Sequence, residues 1–216
     1  MPSAKNSAWL ITNHAPAQIL SGYSNICGDV IAVDKGLEWV HSLGLQPAAI
    51  IGDLDSVSAS VLSQYAETPL KRHPAEKNET DTELALNWCL EQNYNKIVIL
   101  NDMQGRFDHS AALIQNLIKL HRMGVDSYIE NEYQRFFFLH QNTRITGQKG
   151  DLLSLISYSQ ESRFAGSTAL QYPLNKLCLL QHQSRGISNI FGADEIEIKL
   201  ASGLVLAIYT PQASSG

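Results

Sequence analysis

The sequence predicts an N-terminal α/β domain with a mainly parallel sheet and a C-terminal antiparallel β-sandwich. Up to about residue 130, short uninterrupted apolar segments alternate with amphipathic ones, as in the βαβ units of Rossmann-like folds. After about residue 131, strand-like segments follow one another with turn glycines at short intervals. We therefore place the two domains at residues 1–130 and 131–216.

Four apolar segments predict the strands of the parallel sheet: residues 8–12, 30–33, 48–51 and 96–100. Two helices are marked by their start and stop signals. Thr80 to Glu83 fits a capping box at the start of one helix. Asp108 is a candidate cap for a second helix, which should end at Gly124.

The C-terminal segments predict a sheet with one solvent-facing side. The strand-like segments are residues 135–139, 151–158, 195–200 and 204–209. From Glu195, charged and apolar residues alternate, which is typical of a strand with one buried face.

Composition excludes several classes of protein. The 216 residues include 44% hydrophobic and 17% charged residues, which is enough apolar surface for a globular core. The net charge of −5 disfavours a nucleic-acid partner, because such proteins usually present a basic face. No apolar run approaches the roughly 20 residues of a membrane helix. We predict a soluble, cytoplasmic protein that binds neither nucleic acid nor a membrane.

Polar side chains stand where the predicted strands end. Asp34 follows the second strand, Asp53 and Asp55 follow the third, and Arg106 and Asp108 lie beyond the fourth. Because ligands of an open parallel sheet bind beyond the carboxyl ends of its strands, these side chains should face one site.

The pair Asp53 and Asp55 is a candidate magnesium site. On an extended chain their Cα atoms would lie roughly 6–7 Å apart with both carboxylates on one side. Like charges at that distance repel unless a cation or water screens them, and magnesium prefers such hard oxygen ligands. A solvated, inert turn explains the pair equally well. For Asp81, in the first turn of a helix, a favourable interaction with the helix dipole is an equally good explanation.

Arg106 is a candidate phosphate ligand near a helix N-terminus, although a surface pair with Asp108 would give the same sequence. Lys77 can be a solvated base and Thr80 a helix cap, or either can contact a ligand. The sequence has no Walker loop and no G-x-G-x-x-G fingerprint. Phosphoryl transfer can still proceed with carboxylate-held magnesium and basic residues.

Five segments, taken in order, resemble the thiamine pyrophosphokinase family. Residues 51–56 (IGDLDS), 77–83 (KNETDTE) and 105–109 (GRFDH) are similar to its three signatures. Residues 170–174 (LQYPL) and 186–189 (GISN) resemble its substrate-side motifs. Each segment alone is a weak signal, but five in the right order are specific.

The resemblance implies an N-terminal catalytic domain that binds ATP and Mg²⁺, a C-terminal thiamine-binding domain, and a homodimer. The implied magnesium ligands are Asp53, Asp55 and Asp81, with Asp81 also the candidate base. Arg106 and Asp108 would help to hold the nucleotide and the reacting groups, and thiamine would lie beside Ser188 and Asn189. As candidate nucleotide contacts we take Asp34, Ser56, Lys77, Thr80 and Arg106. The expected reaction joins thiamine and ATP to give thiamine diphosphate and AMP.

Three residues depart from the family pattern. Lys35 and Gln104 stand where the family usually has glycine, and Asn78 stands where it usually has aspartate. They leave two alternatives open. One is a pyrophosphokinase for another small alcohol, such as a hydroxymethylpterin. The other is a non-catalytic relative that binds thiamine or nucleotide.

Overall fold

A computed structural model describes residues 5–15, 26–73 and 78–212, without the side chains of residues 5 and 6. The chain divides into two compact units, Met1–Glu132 (unit 1) and Tyr133–Gly216 (unit 2). Each unit is described by itself.

Unit 1 contains a parallel sheet. Its strands are β1 (Lys5–Ile11), β2 (Asp29–Val33), β3 (Ala49–Gly52), β4 (Leu70–Arg72), β5 (Tyr94–Leu100) and β6 (Asp126–Glu130). They lie in the order β6-β5-β1-β2-β3-β4, and every neighbouring pair is parallel. The predicted parallel sheet and its four predicted strands are confirmed.

The inner strands of this sheet are largely apolar because both of their faces are covered, whereas β4 is exposed. Ile31, Ile50 and Ile97 are each 0% exposed. The covering helices are α1 (Gly36–Ser42), α2 (Ala59–Leu62, continued by a 3₁₀ turn at Ser63–Tyr65), α3 (Asp81–Glu91) and α4 (Phe107–Arg122). Among the described residues, no helix is long and apolar enough to cross a membrane.

The two predicted helix starts have different outcomes. Thr80 is the N-cap of α3, and its hydroxyl accepts a hydrogen bond of 3.2 Å from the Glu83 backbone N–H. The prediction that Asp108 caps α4 is wrong, because the N-cap is Arg106 and Asp108 lies inside the first turn. An acid at that position still complements the helix dipole.

Gly36 allows α1 to start against the end of β1. A Cβ atom at this position would lie 1.9 Å from the carbonyl oxygen of Ile11, so no other residue fits without moving the backbone. The preceding Lys35 has φ −58° and ψ −12°, an ordinary right-handed conformation. A lysine in place of the family's usual glycine therefore costs no backbone strain here.

Unit 2 consists of two antiparallel sheets. Its strands are β7 (Arg135–Phe138), β8 (Asn142–Thr146), β9 (Leu152–Ser157), β10 (Glu161–Thr168), β11 (Cys178–Leu180), β12 (Asn189–Ile190), β13 (Glu195–Ser202) and β14 (Val205–Thr210). Their orders are β12-β9-β14-β7 and β11-β10-β13-β8. Leu153 and Val205 of one sheet share a core with Phe164 and Ile196 of the other. This is the predicted β-sandwich.

The alternation predicted for β13 is confirmed. Ile196 and Ile198 are each 0% exposed and Leu200 is 7% exposed, while the intervening Glu197 and Lys199 are more accessible. The apolar side chains of β13 face the sandwich core, and the charged side chains face outward.

The Asp151 carboxylate of unit 2 is buried and accepts three hydrogen bonds. Asp151 is 2% exposed and accepts hydrogen bonds from the Tyr209 hydroxyl (2.5 Å), the Gln148 N–H (2.6 Å) and the Gln212 N–H (2.8 Å). Burial alone would raise the pKa of the Asp151 carboxyl, but these hydrogen bonds outweigh it and lower the pKa below its ordinary value.

We predict that Asp151→Asn lowers the free energy of unfolding at pH 7 by about 2 kcal/mol, because an amide cannot accept all three hydrogen bonds. Since the folded-state pKa is lowered, this stabilisation is present above the unfolded-state pKa and is lost as the pH falls through the folded-state value. The gap between wild type and variant should therefore narrow below about pH 4. Urea unfolding at several pH values measures it, with the exposed Asp194→Asn as control. A gap that does not change with pH would contradict the assignment.

Candidate functional site

A cavity of about 520 Å³ lies at the carboxyl edge of the sheet in unit 1. It is bordered by the residues that follow β1, β2 and β5 and by the first turns of α3 and α4. In the sheet order, β1 lies between β2 and β5, so the chain connections reverse direction at this point. The position agrees with the rule that ligands bind at such a switch point.

Three carboxylates meet next to this cavity. Among the described residues, Asp34, Asp53 and Asp55 form a group whose oxygen atoms lie within 4.8 Å of one another. The sequence-based prediction makes Asp34 a nucleotide contact and not a metal ligand. Asp81, which had been assigned to the metal, is not part of this group. It lines the cavity with Asp34, and its charge acts on that carboxyl.

Two backbone features bring Asp34 to Asp53. Asp34 has φ 50°, a left-handed conformation that aspartate tolerates better than most residues, and its N–H donates to the Ile51 carbonyl at 2.8 Å. A Cβ atom on Gly52 would lie 3.0 Å from the Cα of Asp34. Glycine at position 52 is therefore needed for the ends of β2 and β3 to approach this closely.

Asp53 and Asp55 come together through a turn and not through an extended chain. Leu54 has φ 63° and is 5% exposed, so its side chain is buried while the backbone reverses around it. The Asp55 N–H donates to Asp53 Oδ1 at 3.2 Å, as in an Asx turn. The predicted convergence is present, but its stated geometric reason was wrong.

The electrostatics of the group favour a bound cation. Burial raises the pKa of Asp34, and repulsion from Asp53, Asp81 and Asp55 raises it further, against the lowering effect of a hydrogen bond from the Lys35 N–H. A divalent ion among these oxygens would remove the repulsion. Hard oxygen donors that leave room for further ligands suit Mg²⁺.

Arg106 forms the surface pair that the sequence left open. Its Nε and Nη2 donate to the two carboxylate oxygens of Asp108 at 3.1 and 2.5 Å, and both side chains are largely exposed. The pairing lowers the pKa of Asp108 and raises that of Arg106. Arg106 also lines the cavity, as do Gly105 and His109 at the start of the 16-residue helix α4. The positive helix end and the guanidinium together can bind an anion.

The remaining predicted nucleotide contacts lie in different settings. The Ser56 hydroxyl is 3.4 Å from Asp34 Oδ2, beside the carboxylate group. Thr80 lines the cavity, although its hydroxyl already accepts the capping hydrogen bond. Lys77 lies outside the described residues. Of the departures from the family pattern, Gln104 lines the cavity and Asn78 is exposed.

The residues that follow β1 line part of the cavity and were not predicted from the sequence. The Thr12 hydroxyl donates to the Leu100 carbonyl at 2.9 Å and accepts from the Asn101 amide at 3.0 Å. The Asn101 side-chain oxygen accepts the Met103 N–H at 2.8 Å, and the Asp102 N–H donates to the His14 carbonyl at 2.7 Å. Their position in the sequence could have indicated them, because Thr12, Asn13 and His14 directly follow β1 just as Asp34 follows β2.

Ser188 and Asn189 lie in unit 2 and have different environments. Ser188 is exposed, has φ 56° and is held by a hydrogen bond from its N–H to the Ser154 hydroxyl at 3.0 Å. Asn189 is 5% exposed, and its amide donates to the Tyr172 carbonyl (2.7 Å) and accepts the Tyr172 N–H (3.0 Å). Its side chain thus fixes the segment that carries Tyr172.

Comparison with protein-family models identifies the chain. The model described as "Thiamin pyrophosphokinase, catalytic domain" matches residues 23–129, and the one described as "Thiamin pyrophosphokinase, vitamin B1 binding domain" matches residues 140–205. The chain belongs to the thiamin pyrophosphokinase family. The resemblance inferred from the five segments is thereby confirmed.

Relatives of known sequence and structure agree with this family. The thiamine pyrophosphokinase of Bacillus subtilis is 28% identical over 194 residues, covering 88% of this chain and 90% of the relative. The crystal structure of a thiamine pyrophosphokinase from Bacillus subtilis has a TM-score of 0.84 at 22% identity, covering 96% of this chain and 100% of that one. Yeast thiamin pyrophosphokinase has a TM-score of 0.77 at 16% identity, covering 97% and 88%. These structural likenesses show a shared fold.

We predict that Asp34→Asn stabilises the protein in the absence of divalent ions and weakens its stabilisation by Mg²⁺. Because the pKa of Asp34 is raised in the folded state, its ionised form is destabilising at neutral pH. The gain should be on the order of 1 kcal/mol or less, since solvent screens the partly exposed group. Thermal unfolding with and without Mg²⁺ measures both effects. The control is Asp126→Asn, an exposed carboxylate at the opposite edge of the same sheet, 3.8 Å from Lys96.

Proposed function

We propose that this chain transfers the pyrophosphoryl group of ATP to the hydroxyl group of thiamine, giving thiamine diphosphate and AMP. The observation that carries the proposal is the juxtaposition, in unit 1, of three carboxylates within 4.8 Å and a cavity that faces Arg106 and the start of α4. A cation and a phosphate chain are the ligands that suit such an arrangement.

The divalent ion would be held by Asp34, Asp53 and Asp55, with Asp81, which lines the same cavity as Asp34, as a further candidate ligand. Mg²⁺ fits this donor set because carboxylate oxygens are the ligands it prefers, and its charge would offset both the burial and the repulsion that raise the pKa of Asp34. When bound, the ion would neutralise negative charge on the phosphates during transfer.

Arg106 and the N-terminus of α4 would orient the phosphates of ATP. A guanidinium makes paired hydrogen bonds to phosphate oxygens as readily as to a carboxylate, so ATP can compete for the donors that now bind Asp108. Asp108 would then keep Arg106 pointing toward the cavity until the nucleotide arrives. Ser56, Thr80 and Lys77 remain predicted contacts of the nucleotide.

Thiamine would contact unit 2 through Ser188, whose exposed side chain is available to a ligand. Asn189 would contribute by fixing the neighbouring segment, because its amide is already hydrogen-bonded to Tyr172. In the reaction, the thiamine oxygen forms a bond to the β-phosphorus and AMP leaves with the electrons of the broken P–O bond. Asp81 is our candidate to accept the hydroxyl proton.

No observation favours a hydroxymethylpterin as the acceptor over thiamine, and the match to a vitamin B1 binding domain over residues 140–205 supports thiamine. The three departures from the family pattern do not disturb the carboxylate group. Lys35 is exposed in an ordinary conformation, and Asn78 is exposed. The homodimer and the cytoplasmic location remain predictions from the sequence.

We predict that Asp55→Asn lowers kcat by at least about 100-fold, because charge stabilisation of the transferring group is the main catalytic contribution in phosphoryl transfer. Chromatography of products from thiamine, ATP and Mg²⁺ measures the rate and should show AMP. Release of ADP would contradict pyrophosphoryl transfer. Asp126→Asn, on the opposite edge of the sheet, should retain full activity.

We predict that Arg106→Lys raises KM for ATP roughly 10-fold while the melting temperature stays unchanged, because lysine cannot make the paired contact. A matched control is Arg163→Lys in unit 2. Arg163 pairs with Glu161 through its Nε and Nη2 at 3.0 and 2.9 Å, across the same two-residue separation. Steady-state kinetics with varied ATP separates the two variants. An unchanged KM in Arg106→Lys would remove Arg106 from the nucleotide site.

A further inference from the structure

The loop that carries Asp53 and Asp55 is fixed at its far end by a carboxylate that no family signature includes. Glu38, on α1, accepts a hydrogen bond of 2.8 Å from the Ser58 N–H through its Oε1. Ser58 is the N-cap of α2 and makes no side-chain capping bond. The backbone N–H of an N-cap residue has no hydrogen-bond acceptor within its own helix, and for Ser58 the Glu38 carboxylate is that acceptor.

The near end of the same loop is held by the same segment of chain. The Asp34 N–H donates to the Ile51 carbonyl at 2.8 Å, just before Gly52 and Asp53. Glu38 lies in the first turn of α1, four residues after Asp34. The segment from Asp34 to Glu38 thus supplies the first carboxylate of the group. It also forms hydrogen bonds with both ends of the loop that carries Asp53 and Asp55.

The middle of the loop is held by its own turn, in which the Asp55 N–H donates to Asp53 Oδ1 at 3.2 Å, and by the packing of Leu54 and Val57 on the core. Leu54 inserts into the core and its carbonyl accepts the Val57 N–H at 3.3 Å, while Asp55 and Ser56 are exposed. The Ser56 hydroxyl approaches Asp34 at no less than 3.4 Å, which is a weak contact. The turn sets the spacing of Asp53 and Asp55, whereas the position of this pair relative to Asp34 depends on the two end contacts as well.

We propose that Glu38 is a positioning residue for the divalent-ion site, and this inference depends on the metal site of the proposed function. By holding Ser58, Glu38 keeps Asp53 and Asp55 close to Asp34 against their mutual repulsion. A cation then binds to carboxylates that are already close together, so little rearrangement of its ligands is needed. Groups that orient metal ligands in this way affect affinity without touching the ion.

The test compares Glu38→Ala, which removes the acceptor, with Glu38→Gln, which keeps a side-chain oxygen for the Ser58 N–H. Asp194→Ala is the matched control, because Asp194 Oδ1 accepts a backbone N–H from Lys149 at 3.0 Å in unit 2, outside the domain that carries the carboxylate group. Mn²⁺ binding is measured by electron paramagnetic resonance, with and without a non-hydrolysable ATP analogue. Hydrogen exchange at the Ser58 amide reports the contact itself.

We expect Glu38→Ala to raise the Mn²⁺ dissociation constant roughly 10-fold, as loss of a supporting group does in other metal sites. The Ser58 amide should exchange faster, and KM for thiamine should stay unchanged. Glu38→Gln should retain most of the affinity, and Asp194→Ala all of it. Since Mn²⁺ binding and hydrogen exchange need no turnover, these two readouts do not depend on a variant remaining active.

Wild-type affinity in a Glu38→Ala protein whose Ser58 amide exchanges faster would overturn the inference and leave the proposed function intact. Equal loss of affinity in Glu38→Ala and Asp194→Ala would overturn it too, because the effect would then be general. Absence of Mn²⁺ binding in the wild-type protein, with or without nucleotide, would instead remove the metal site on which both proposals rest.

Discussion

Mutual repulsion among Asp34, Asp53 and Asp55 is the constraint around which the carboxyl edge of unit 1 is organised. Their oxygens lie within 4.8 Å, and the pKa of Asp34 is raised by burial and, to a smaller extent, by repulsion from the neighbouring carboxylates. Hydrogen bonds and packing on the neighbouring backbone must hold the group together, since the carboxylates themselves favour separation. The left-handed Asp34, the absence of a Cβ on Gly52 and the contact between Glu38 and Ser58 all act in this direction.

This arrangement separates charge across one cavity. The acids gather at the ends of β2 and β3, while Arg106 and the positive end of α4 lie beyond β5. A phosphate chain matches both sides, because its anionic oxygens can bind a cation held by the acids and can also bind Arg106 and the start of α4. The sheet places the acids and the start of α4 before a ligand binds, so the main rearrangement left is the release of Arg106 from Asp108. Charge that is placed in advance is what phosphoryl transfer chiefly requires.

The sequence predicted the fold where burial produces a regular pattern. Strands covered on both faces appear as apolar runs, and β13 alternates because one face is wet. Strand β4 was missed because its three residues, Leu70, Lys71 and Arg72, are all exposed. Of the predicted metal ligands, Asp53 and Asp55 lie in the carboxylate group, but Asp34 takes the place predicted for Asp81, and the local geometry was not predicted. No pattern indicated that Leu54 would take a left-handed conformation, because that follows from burying its side chain while the chain turns.

A shared motif fixes where a residue lies, whereas its neighbours decide what it does. Adjacent residues Ser188 and Asn189 illustrate this, since one is exposed and the other has its amide hydrogen-bonded to Tyr172. The same reasoning explains the replaced glycines. Gly52 and Gly105 are retained where φ is 150° and 81°, while Lys35 and Gln104 are not among the residues with positive φ. At positions 35 and 104 the backbone therefore does not require glycine, whereas at positions 52 and 105 it favours glycine.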